Sequence, residues 1–216
     1  MGGSIWLSVG TLAGTGRIWA RPLRYGATDY ERNWCSTGGR IAVYQRTATD
    51  WSAFAGGTMT ADGGKRTRDD GGSSPAGTIY LETAADQPRC GEVIIRSGHT
   101  FADERTSWPL AGDGDVESSV VYAGVKLTLD GGNLSVTNTA WTEAHTLKIR
   151  DIDIQGSNSK AYLNGSTLKV SQLTHRGGRD WEGWTKSDKP AAYAKHVVED
   201  GGAILWPTPG MLLMIR

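Results

Sequence analysis

The 216 residues carry 23 Lys and Arg against 23 Asp and Glu, so no bulk field favours nucleic acid or an anionic membrane surface. Thirty glycines, two phenylalanines and a hydrophobic share of 38% suit many short strands joined by tight turns better than helices with broad apolar faces. No stretch approaches the roughly 18 consecutive apolar residues of a membrane span, and the strand pattern begins at once, with no signal-peptide core ahead of it.

Taken in order, Ile5, Leu7 and Val9 alternate with polar residues and share one strand face. The turn from Gly10 to Gly16 then leads into Arg17-Ile18-Trp19-Ala20. The same form returns as Gly38-Gly39-Arg40-Ile41-Ala42-Val43-Tyr44 and as Gly77-Thr78-Ile79-Tyr80-Leu81, about 36 to 38 residues apart. A fixed period of that size is the signature of a solenoid, whose stacked units each contribute short strands. A second series, Ile18, Met59 and Ile94, follows each glycine-led strand by about 13 to 18 residues. We therefore expect Arg17–Ala20, Thr58–Ala61 and Glu92–Ile95 to stack on one another.

Three polar excursions interrupt these units, over residues 22–37, 62–76 and 98–118. Loops that leave equivalent points of rungs spaced about 4.8 Å apart emerge side by side on one flank, and that flank is where a site is expected. From Val120 to about residue 173 the pattern tightens into period-two strands with Gly, Asn and Asp corners, which reads as plain structural coil. The tail, residues 176–216, holds a Trp-containing loop and an expected hairpin of Lys195–Glu199 with Ala203–Trp206 about Asp200-Gly201-Gly202. It is expected to cap the last rung of a main domain covering residues 1–175, with Pro207 and Pro209 stopping further ladder growth.

The string Gly3-Ser4-Ile5-Trp6-Leu7, Gly10-Thr11-Leu12-Ala13-Gly14-Thr15-Gly16, Gly38 to Tyr44 and Ala76 to Leu81 resembles the glycine-rich repeats of large secreted or surface-attached bacterial proteins, the adhesins and autotransporter passengers. The resemblance covers about residues 2–97 and implies a right-handed parallel β-helix with a terminal cap; with the loops read above, the expected fold is all-β, a single-stranded right-handed parallel β-helix with long loops on one flank and a C-terminal β cap. The resemblance also implies a secreted or cell-surface setting as part of a longer chain. It carries no catalytic residues over, and the long charged loops depart from the small-residue loops usual in those repeats.

Candidate chemistry lies in the loops. Asp113, Asp115 and Glu117 alternate beside glycine, a pattern that can converge on a divalent metal such as Ca²⁺. Asp103, Glu104, His99, Asp69 and Asp70 are the carboxylates and imidazole from which an acid–base pair of a hydrolase or lyase could be drawn, acting on a polysaccharide or another ester or phosphoester. Arg24, Arg32, Arg68 and Arg105, with the rings of Tyr25, Tyr30, Trp34 and Trp108, suit contact with sugar rings or pin the loops to the coil. A scaffold that binds carbohydrate is the first expectation, and self-association through Trp6 and Trp19 on the first rung is a further one. Cys35 and Cys90 form one disulfide or remain two thiols.

Overall fold

The computed structural model describes residues 2–22, 36–64, 74–98, 104–108, 122–136, 146–155, 158–171 and 190–206. Within them the chain is mostly β, in several mostly parallel sheets. Strands β1 (Ser4–Val9), β2 (Arg17–Trp19), β3 (Arg40–Gln45), β4 (Thr58–Thr60) and β5 (Thr78–Glu82) build the first part. β1, β3 and β5 pair in parallel, with Ile5, Ile41 and Ile79 in one register row. β2 and β4 pair in parallel beside them, Ile18 against Met59. Ile41, Val43, Phe54, Met59, Ala61 and Ile79 form the buried cluster between the two sheets.

The glycines that lead the second and third repeats have a packing cause. The Gly39 and Gly77 N–H groups donate to the carbonyls of Ala20 and Ala61, at 2.6 and 2.7 Å, where the short strands end. A Cβ on Gly39 would land on the Gly3 carbonyl oxygen, and one on Gly77 on the Gly39 carbonyl oxygen. The rungs thus meet backbone to backbone at this corner, which excludes any side chain.

Strand β6 (Glu92–Arg96) corrects the expected second series. It does not stack on β2 and β4 but pairs antiparallel with β5, Ile79 opposite Ile94. The cause is the turn between them. The Asp86 carboxylate accepts from the Thr83 N–H and hydroxyl at 2.9 and 2.8 Å, and Arg89 takes a left-handed φ of 65°. The buried Glu82 carboxylate then accepts from the Tyr80 hydroxyl at 2.6 Å and from the Arg89 N–H at 2.9 Å, which closes the hairpin.

Beyond this hairpin the chain visits three sheets in a repeating order. The strands are β7 (Arg105–Trp108), β8 (Lys126–Asp130), β9 (Asn133–Val136), β10 (Thr146–Ile149), β11 (Asp151–Gln155), β12 (Ala161–Tyr162) and β13 (Thr167–Val170). They are followed by helix α1 (Pro190–His196), β14 (Val197–Val198) and β15 (Ala203–Leu205). Parallel pairing joins β6, β8 and β11 in the first sheet, β7, β9, β12 and β14 in the second, and β10, β13 and β15 in the third. Like side chains stack inside: Leu127 on Ile152, Leu129 on Ile154, Leu147 on Leu168 and Ile204. These residues are almost wholly buried, and each contributes about 1.5–3 kcal/mol by leaving water.

Corners repeat as well. Asn164-Gly165 and Asp200-Gly201 each place two residues at positive φ, a conformation that Asn, Asp and Gly tolerate best. The Ser166 carbonyl accepts from the Ala203 N–H at 3.2 Å, so one corner sits on the other.

The expected tail hairpin is therefore also corrected. β14 and β15 do not pair with each other; each extends a different sheet, on β12 and β13. Asp200-Gly201 is a corner between faces, and Lys195-His196 ends a helix and not a strand. Tyr193, Val197 and Ile204 belong to the same buried cluster as Leu127 and Leu168.

Burial, and then the neighbouring Glu199 carboxylate to which its hydroxyl donates at 3.1 Å, push the Tyr193 phenol up to about 12. Burial and the Glu82 carboxylate push Tyr80 in the same direction. A phenol raised above its unfolded value of roughly 10 stabilises the fold in full below that pH and loses the contribution as pH rises through the folded value. Stability is therefore expected to fall between about pH 10 and 12 more steeply than in Tyr193→Phe. Urea midpoints of the two proteins across that range check it, and parallel curves would reject it.

Candidate functional site

The six-stranded sheet β1-β3-β5-β6-β8-β11 changes its core-facing side at the hairpin. One register row runs Ile5, Ile41, Ile79, Ile94, Thr128, Asp153, and the next runs Leu7, Val43, Leu81, Glu92, Lys126, Asp151. Both rows are apolar in the first part and become polar or charged after it. The opposite side does the reverse, with Trp6, Tyr44 and Tyr80 giving way to Val93, Leu127 and Ile152. β6 is the strand where the two arrangements meet: Ile94 packs into the first cluster, while Val93 and Ile95 pack into the second.

Three places then hold chemistry-bearing side chains. The first is the set of loop roots. Gly64 N–H donates to the Ser36 carbonyl and Ser74 N–H to the Gly64 carbonyl, both at 2.9 Å. The Gly38 N–H donates to the Pro75 carbonyl at 2.9 Å. The Thr106 hydroxyl donates to the Ala76 carbonyl at 2.7 Å, and the Gly98 N–H reaches the Asp62 carboxylate at 3.4 Å. Segment 62–76 is thus tied to Ser36 at the end of segment 22–37, to Gly98 at the start of segment 98–118, and to Thr106 on β7, a strand that stands inside what the sequence suggested was a continuous polar excursion.

Of the residues expected to act there, Glu104, Arg105 and Trp108 are described. Arg24, Tyr25, Tyr30, Arg32, Trp34, Arg68, Asp69, Asp70, His99, Asp103, Asp113, Asp115 and Glu117 lie outside the described residues. Trp108 is 4% exposed and meets Tyr122 edge-on at 4.8 Å, so its ring belongs to the core and is not offered to a ligand. The exposed Arg105 guanidinium lies 3.5 Å from the centroid of Tyr162, a cation–π contact that holds it on the second sheet. Among the described residues no group of His, Cys, Asp and Glu is arranged to hold a metal. Cys90 is a free thiol, and Cys35 lies outside the described residues.

The second place is a buried charged group that sequence reading missed. Lys126 Nζ lies 2.6 Å from Glu92 Oε1 and 3.6 Å from Asp153 Oδ2. Glu92 Oε1 also accepts from the Thr128 hydroxyl, and Gln155 Nε2 donates to Asp153 Oδ2 at 2.8 Å. Lys126, Thr128, Asp151 and Asp153 are all buried. One lysine thus answers carboxylates from both neighbouring strands, an arrangement that fixes strand order and register more than it offers a reactive group. The available signal was the complementary pair of alternations, Lys126 and Thr128 against Asp151 and Asp153.

The third place is an aromatic column on the outer side of the first part. Trp6 stacks on Tyr44 with centroids 5.2 Å apart, and Tyr44 meets Tyr80 at 5.5 Å. The Arg46 guanidinium lies 4.9 Å from the Tyr44 ring and reaches Glu82 at 3.5 Å. Trp6 closes the column and is 71% exposed.

No family, no characterised protein and no solved structure matches the chain.

Proposed function

We propose that the chain is a structural, carbohydrate-contacting module of a secreted or cell-surface protein. On this reading β6 to β15 form a right-handed parallel β-helix, and β1 to β5 a shorter stack of the same make running the other way. The cyclic order of the three sheets and the stacked Asn164-Gly165 and Asp200-Gly201 corners support the coil, and parallel crossovers of this kind are almost always right-handed. Such a framework is stiff and repetitive, and it carries its loops on a fixed base.

The observation that carries the binding role is the tying of the ends of segment 62–76, through Asp62, Gly64 and Ala76, to Ser36, to Gly98 and to Thr106 on strand β7. Side chains on loops sharing one rigid base can act on a single extended ligand, because positioning by the scaffold lowers the ordering cost of binding. The segments carry Arg24, Arg32, Arg66, Arg68 and Arg105 with the rings of Tyr25, Tyr30 and Trp34, residue types that suit hydroxyl groups and the apolar faces of sugar rings.

The test is a polysaccharide binding screen followed by calorimetry on the best ligand. A variant with residues 65–73 replaced by a short Gly-Ser linker is expected to bind at least about tenfold more weakly, a loss of about 1.4 kcal/mol. Absence of binding to every polysaccharide, or equal binding by the variant, would overturn the reading.

A further inference from the structure

The first strand points to a partner of its own kind. Among the described residues β1 pairs only with β3 and ends its sheet. The Gly3 and Val9 carbonyls accept from the Arg40 and Arg46 N–H groups, at 3.0 and 2.8 Å. Odd-numbered residues of β1 therefore turn their backbone polar groups towards β3, and Ser4, Trp6 and Ser8 turn theirs to the open side. All of Ser4, Trp6 and Ser8 are exposed. Ile5 and Leu7 are only half-buried although they stand over the core row, whereas their register partners Ile41 and Val43 are 1% and 0% exposed.

The strand Ser-Ile-Trp-Leu-Ser-Val has none of the devices that keep an edge single: it carries no charge, no proline and no bulge. We infer that β1 pairs antiparallel with β1 of a second copy of this chain about a twofold axis at Trp6. A twofold contact must be self-complementary, and a one-residue slip would turn core side chains to the wrong face. Placing Trp6 opposite Trp6 of the second copy satisfies both conditions. Ser4 then faces Ser8 and Ile5 faces Leu7, core side to core side. Every outward-turned residue, Ser4, Trp6 and Ser8, exchanges backbone hydrogen bonds in this register, and registers centred on Ile5 or Leu7 leave part of that set unpaired.

The same register continues two features already in place. The half-open apolar row of Ile5 and Leu7 gains a covering row from the second copy. The column Trp6, Tyr44, Tyr80 meets its own image at Trp6, the ring left exposed. Opposite charge is not needed, because no like charges are brought together at the axis.

The experiment measures mass against concentration by sedimentation and light scattering for the whole chain and for Trp6→Lys and Trp6→Glu. The wild type is expected to pass from monomer to dimer as concentration rises, and each variant to stay monomeric with an unchanged circular dichroism spectrum. An equimolar mixture of the two variants is expected to dimerise again, because Lys and Glu then face each other at the axis. A wild type that is monomeric throughout overturns the inference. So does assembly that persists undiminished in both variants, which would place the contact elsewhere, and so does a mixture that fails to recover the dimer.

Discussion

Gly77→Ala is expected to cost about 3 kcal/mol or more of stability, while Gly3→Ala changes it by less than about 0.5 kcal/mol. The two glycines lead equivalent strands, and sequence alone ranks them equally. They differ in what stands over them. A Cβ on Gly77 would meet the carbonyl of Gly39 and the backbone of Gly38, whereas one on Gly3 meets nothing within 4 Å. Neither lies at positive φ, so the cost at Gly77 is steric and not conformational. Backbone cannot swing aside as a side chain can, and moving β5 would stretch the 2.7 Å hydrogen bond from the Gly77 N–H to the Ala61 carbonyl. Urea denaturation of both variants beside the wild type measures the contrast. A Gly77→Ala protein as stable as Gly3→Ala would mean that the rungs do not meet backbone to backbone at this corner.

That glycine column also explains why the first part was the most legible. A period is visible in sequence when the same physical demand recurs, and backbone contact at Gly39 and Gly77 is such a demand. The alternation of Ile5, Leu7 and Val9 with their stacked partners was readable for the same reason. The direction of β6 was not, because strand alternation is identical in parallel and antiparallel pairing. Only the turn chemistry of Thr83, Asp86 and Arg89 decides it. The tail misled in a related way: Asp200-Gly201 has the two positive φ angles that a tight hairpin turn also needs, yet the same pair serves as a corner between two sheets. Of the candidate site, the common base of the loops was readable from their equivalent positions. Trp108 was not, since a loop-rich neighbourhood hides that its ring packs on Tyr122.

The charged group behind β8 was missed because its alternation points the wrong way when read alone, and it carries the second large effect. Ile152-Asp153-Ile154 reads as apolar in and polar out, which assigns Asp153 to solvent, yet Asp153 is 2% exposed. Lys126→Met is expected to cost about 3–5 kcal/mol, because it removes the cation shared by Glu92 and Asp153 and leaves a buried carboxylate without its counter-charge. The methionine itself is well tolerated in an apolar setting, so packing is not the source of the loss. Adding Asp153→Asn to Lys126→Met is expected to recover part of the stability, since the amide keeps the shape and still accepts from Gln155 without a charge. Raising the salt concentration is expected to change little, because a buried pair is poorly screened. Chemical denaturation of the single and double variants at low and high salt measures each term. If Lys126→Met were nearly neutral, or if Asp153→Asn added its own loss and recovered nothing, the lysine would not be the element that allows these carboxylates to stand inside the fold.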